Sequence, residues 1–187
     1  MTFIAELWLP ILLSGVFIFI VSTLVHMVLQ WHISDHTNLP DEDGMLEMFR
    51  DKGLKSGSYV FPHCECGSDY NSEEMQAKIK RGPVGFITVF SPEGFSMGKN
   101  LLKWFLFTLL ISVFVAYITN ICLTGAVEYL QVFRVAGTAA FLAYAIPALQ
   151  DNIWKGQAMN VTFKFVVDGT LYALTTAGTF AWLWPAS

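Results

Sequence analysis

Four strongly apolar stretches, roughly 3–30, 102–123, 131–149 and 161–184, constrain this chain more than any other feature. Each is long enough to cross about 30 Å of hydrocarbon at 1.5 Å per residue. In lipid, a spanning segment must satisfy its backbone polar groups internally, so each stretch is expected to be a helix. The expected architecture is all-α: a four-helix transmembrane bundle with residues 1–30 as the first helix, 31–101 as a small cytoplasmic α+β cap, and 102–187 carrying the other three helices. The first stretch has no basic n-region and no small-x-small cleavage site, so it reads as a permanent span rather than a signal peptide.

The basic residues orient this bundle. Arg50, Lys52, Lys55, Lys78, Lys80, Arg81, Lys99 and Lys103 lie ahead of or at the very start of the second span, and Lys155 and Lys164 lie around the start of the fourth. The positive-inside rule then places both segments in the cytoplasm and both termini outside, as in a multi-pass protein of a bacterial inner membrane. Composition agrees: 54% of residues are hydrophobic and 14% charged, with a formal net charge of -4. An acidic chain of this kind gives no reason to expect nucleic acid. The expected partners are the lipid bilayer and a membrane protein or second copy of the chain. Three cysteines make no disulfide framework, and Cys64 and Cys66 fall in the segment assigned to a reducing compartment.

The 31–101 segment is too long for a plain loop. Pro40 and Asp41 open a run with Leu46 and Phe49 on one helix face, and Gly53 closes it. Asn71 with Glu74 resembles a helix start, and Gly82-Pro83 its stop. Tyr59–Phe61 and Val84–Phe90 read as short strands. Two short helices and a two-stranded ribbon are therefore expected.

Inside the spans, rows of small residues recur at four-residue spacing. Gly169, Ala173, Ala177 and Ala181 form one row; Thr108, Ser112, Ala116 and Asn120 form another; Ala136 and Ala140 form a third. Small residues let membrane helices approach closely, and hydroxyls are expected to bond across the contact. Ionisable groups are costly in hydrocarbon and mark sites or locks between helices. By depth alone, Glu6 and Arg134 match in the outer half, and His26 and Asp168 in the inner half. Tyr172 can serve either pair as a donor. A His beside an intramembrane carboxylate also suits proton transfer.

Two clusters have metal-binding residue types. His26, His32, Asp35 and His36 form the first, with His32 and His36 four apart as on one helix face. His63, Cys64, Glu65 and Cys66 form the second, a thiolate–imidazole set that suits zinc. A Cys-x-Cys lacks the two-residue spacing of a zinc knuckle, and no second intramembrane His completes a haem site. A structural metal is the cofactor these clusters suggest; catalytic motifs are absent, so no catalytic residue is assigned.

Several of these segments together resemble a group of small uncharacterised bacterial four-span membrane proteins. They are Leu7-Trp8-Leu9-Pro10, His26-Met27-Val28, the Trp31-His32 to Asp35 corner, Val132-Phe133-Arg134, Asp168-Gly169 and Trp182-Leu183-Trp184-Pro185. The resemblance implies four spans and, since no activity is known for the group, transfers no function. The expected role is a non-catalytic scaffold, accessory subunit or small-ligand-binding module of a membrane complex. Proton-coupled or small-solute transport through His26 and Asp168 is the first alternative. A metal-dependent membrane enzyme built on His26–His36 is the second.

Overall fold

The computed structural model describes residues 2–185. It separates into two units, residues 1–35 with 97–187 and residues 36–96. The first unit is helical. A short helix α1 (Thr2–Glu6) leads into α2 (Trp8–Thr23), which continues as a π-helical turn over Leu24–Val28. After the second unit come α5 (Met97–Cys122), α6 (Tyr129–Tyr144), α7 (Pro147–Lys155) and α8 (Met159–Leu183). Three helical stretches are long and apolar enough to cross a membrane: Trp8–Val28, Met97–Cys122 and Tyr129–Lys155. The expected fourth span lies within α8, a 25-residue helix. Lys164, Asp168 and a series of threonines keep α8 out of the set of stretches apolar enough to cross.

Helix α8 packs on α2 and α6, and α5 packs on α2 and α6. The expected small-residue row lies in these contacts: Gly169, Ala173, Ala177 and Ala181 are all buried. A Cβ added to Gly169 would stand 2.6 Å from the backbone of Ala145 and Tyr144, so α8 meets the end of α6 at backbone contact. On α5 the buried row is Thr108, Ser112, Ala116 and Thr119, not Asn120. A helix has 3.6 residues per turn, so a strict four-residue row drifts off its face within three steps. The hydroxyls also depart from expectation. Those of Ser112, Thr119, Thr170, Thr175, Thr176 and Thr179 donate to the carbonyl four residues back on their own helix. Bonds between helices are fewer: Trp104 Nε1 donates to Ser22 Oγ at 2.9 Å, and Thr108 Oγ1 reaches the Gly15 carbonyl at 3.4 Å.

The second unit contains the expected elements. Helix α3 (Glu42–Asp51) stops before Gly53 at φ +64. Helix α4 (Glu73–Arg81) starts with Ser72 accepting a hydrogen bond from the Met75 amide and ends at Gly82, φ +63. Strands β1 (Gly57–Phe61) and β2 (Gly85–Val89) pair antiparallel, Gly57 opposite Val89 and Phe61 opposite Gly85. A two-stranded ribbon alone is marginal in water.

Candidate functional site

The site begins where α2 loses regular helical geometry. The Leu29 amide bonds to the Leu24 carbonyl five residues back at 2.9 Å, which defines a π-helical turn around His26. Such turns are uncommon and concentrate at functional positions. Gln30 follows with φ +50, a left-handed conformation unusual for a residue with a Cβ. The chain reverses there into a 3₁₀ turn over Ile33–Asp35. A 3₁₀ turn has three residues per turn, so residues three apart stand over one another. His32 and Asp35 consequently face the same way, with Nδ1 and Oδ2 2.5 Å apart.

Helix α8 supplies the complementary pair. Lys164 and Asp168 are four apart and share a face. The two pairs interlock into a row of alternating basic and acidic groups. Lys164 Nζ donates to Asp35 Oδ1 at 2.5 Å, and His32 bridges from Asp35 to Asp168, whose Oδ2 lies 2.7 Å from His32 Nε2. Lys164 spends its remaining protons on the Trp31 carbonyl at 2.9 Å and Ser34 Oγ at 3.0 Å. The Asp35 and Asp168 side chains are 2% and 3% exposed, so neither carboxylate can rely on water. Burial pushes the Asp35 carboxyl up, but hydrogen bonds and charge from Lys164 and His32 outweigh it. They hold Asp35 below the usual carboxylate range. An ionised Asp35 accepts a hydrogen bond from Nδ1–H of His32, and the opposite ring nitrogen, Nε2, faces Asp168 Oδ2.

His26 completes the group. Its ring stacks on His32 with centroids 4.5 Å apart and planes 10° apart. Its Nδ1 donates to the Ser22 carbonyl at 3.0 Å, leaving Nε2 3.9 Å from Asp168 Oδ2. Depth along the helices therefore brings His26 near Asp168, but His32 makes the direct bond. Nothing in composition marks Lys164 as part of the site. Its signal is the four-residue spacing to Asp168, which puts an ammonium and a carboxylate on one helix face.

A cavity of about 850 Å³ adjoins the group, with His26 and Asp168 in its wall. Most of the lining is apolar, and three aromatic rings shape one side. Trp104 lies 5.9 Å from Tyr172 and 6.4 Å from Tyr144, and the two tyrosines are 5.7 Å apart edge to face. Trp104 thus forms part of the cavity wall. Among the described residues, the buried hydroxyls of Tyr144 and Tyr172 have no hydrogen-bond partner, so Tyr172 serves neither expected pair as a donor. An unpartnered buried hydroxyl is unfavourable by roughly 1–3 kcal/mol.

Other expected site residues stand apart. Glu6 and Arg134 are both exposed and form no ion pair among the described residues. Arg134 lies on the side of α6 away from buried Val132, Ala136 and Ala140, so its azimuth, which depth does not reveal, removes it from Glu6. His36 is exposed and begins the second unit, because the 3₁₀ turn ends at Asp35 and no helix carries His32 and His36 on one face. In the second unit, His63 and Cys66 are exposed, and Cys64 Sγ donates to the Cys66 carbonyl at 3.2 Å. Among the described residues, the group with metal-ligand geometry is His26, His32 and Asp168. Comparison with known protein families, curated proteins and solved structures found no match.

Proposed function

We propose that this protein is a small-ligand-binding module of a bacterial inner membrane, with α8 as a fourth span, residues 31–101 as a cytoplasmic cap and both termini outside. The cavity beside His26 and Asp168 carries the reading. It is of the size that ordinarily encloses a small organic molecule, mostly apolar, with a few convergent polar groups at one end. The mostly apolar lining, with His26 and Asp168 in the wall, suits a lipophilic molecule that bears a polar group. The distribution of Lys and Arg and the resemblance to bacterial four-span proteins support the topology.

The test is extraction of the protein from its native membrane into lipid nanodiscs, followed by native mass spectrometry. A stoichiometric lipophilic adduct is expected, and Ala143→Trp, which fills the cavity from α6, should remove it. Wild-type protein without an adduct, or an adduct retained by Ala143→Trp, overturns the reading.

A second reading, proton transfer, draws on the unbroken row from Lys164 through Asp35 and His32 to Asp168. Asp168→Asn keeps hydrogen-bonding capacity and removes the proton-accepting carboxylate. In proteoliposomes, proton flux that Asp168→Asn abolishes supports this role; flux unchanged by the substitution excludes it.

A further inference from the structure

We infer that His26 Nε2, His32 Nε2 and the Asp168 carboxylate form a site for one divalent first-row transition ion, with Asp35 as a positioning residue. The three donor atoms lie within 4.8 Å of one another. Bonds of about 2.0–2.1 Å to a tetrahedral ion place donors roughly 3.3 Å apart. The observed separations from Asp168 Oδ2, 2.7 Å to His32 and 3.9 Å to His26, straddle that value. An ion bound here would replace the direct contact between His32 Nε2 and Asp168 Oδ2 and draw His26 in.

The surroundings are those a metal-ligating histidine needs. Each Nδ1 already has an acceptor, Asp35 for His32 and the Ser22 carbonyl for His26. Such contacts fix the tautomer that leaves the Nε2 lone pair free and raise its basicity. Because His26 and Asp168 line the cavity, a coordination position not taken by protein opens toward it. Two imidazoles and one carboxylate suit zinc or ferrous iron better than calcium or magnesium, which prefer oxygen, or cuprous copper, which prefers sulfur.

One feature of the metal-free geometry must change. An ion lies near the plane of each imidazole it binds, and the His26 and His32 rings are stacked almost parallel. His32 is held by Asp35. His26, with a side chain 41% exposed, is the ring that tilts. The site requires no occupant in the cavity, so it stands apart from the ligand-binding reading.

The experiment uses the full chain without a histidine tag, treated with chelator, exchanged into nanodiscs and titrated with Co²⁺ and then Zn²⁺. The expected result is one Co²⁺ per chain with visible ligand-field absorption, displaced by Zn²⁺. His26→Gln removes an exposed ligand and should weaken binding at least tenfold with helix content unchanged. Asp35→Asn should weaken it roughly 10–100-fold. The double variant Cys64→Ser/Cys66→Ser should bind as wild type does. Absence of a stoichiometric ion, wild-type affinity in His26→Gln, or loss of the ion in the cysteine variant overturns the site.

Discussion

Lys164→Met tests the alternating row most directly. Lys164 is 18% exposed and Asp35 2%, so the ammonium and carboxylate meet with little water around them. Breaking a buried pair from one side costs about 3–5 kcal/mol, because an uncompensated charge remains. Two observations reduce that figure here. Asp35 keeps its bond to His32, and the freed Trp31 carbonyl and Ser34 hydroxyl belong to exposed residues that water can reach. A loss of about 2–3 kcal/mol is expected, roughly 30- to 150-fold in the unfolding equilibrium. Reversible unfolding in mixed detergent–SDS micelles, followed by far-ultraviolet circular dichroism, measures it.

Methionine is also more apolar than lysine, which changes how α8 partitions into the micelle. A double-mutant cycle separates the two effects. Asp35→Asn in the Lys164→Met background removes the stranded charge while leaving an acceptor for His32. The double variant should recover at least about 1 kcal/mol relative to the sum of the single losses. Lys164→Met within 0.5 kcal/mol of wild type, or strictly additive single effects, would refute the claim that Asp35 is a buried anion held by Lys164.

Gly169→Ala should destabilise by about 1–3 kcal/mol in the same assay, because the added carbon meets α6 backbone that cannot move aside. Gly178→Ala, with open space at its Cβ, should be neutral or stabilise by up to about 1 kcal/mol. Tyr172→Phe should leave ligand-free protein unchanged or slightly more stable, since its hydroxyl has no partner; a loss above about 1 kcal/mol would reveal a bond the structure lacks. The depressed Asp35 titration sets a pH dependence: its contribution is complete above the ordinary carboxylate value of about 3.9 and is lost as pH falls through the lower folded value. The wild-type minus Asp35→Asn stability difference, measured from pH 6 downward, should therefore shrink below about pH 4; a flat difference contradicts it. Labelling of Cys64 and Cys66 by an impermeant maleimide in intact cells should fail and should appear after permeabilisation; labelling in intact cells reverses the topology.

Apolar length and small-residue spacing made most of the helical framework readable from the sequence. The apolar runs become helices because lipid-length segments have few alternatives, and Gly169, Ala173, Ala177 and Ala181 share a face by simple periodicity. The site was readable along one coordinate only. Counting residues from a span boundary gives depth, which brought His26 and Asp168 together, but it gives neither azimuth nor the path of a chain that leaves the helix. Azimuth separates Glu6 from Arg134. The path after Val28 is set by a π-helical turn and by Gln30 at φ +50, neither of which has a residue signature here. These two irregularities turn His32 back onto α8, and Asp35 and Lys164 enter the site with it.

The same irregularities bear on what the site is for. A clamp between α2 and α8 needs neither a left-handed glutamine nor three charged residues, since well-packed apolar side chains of similar size hold helices as firmly or more so. Strained backbone persists where the surrounding structure over-determines it, and it concentrates at sites that bind or react. Here the strain at Gln30 serves one arrangement: His32 between two buried carboxylates, with His26 stacked on it beside the cavity. Lys164 pairs with one of those carboxylates and His32 bridges it to the other, so the hold of the Ile33–Asp35 turn on α8 runs through the same few atoms as the candidate metal site.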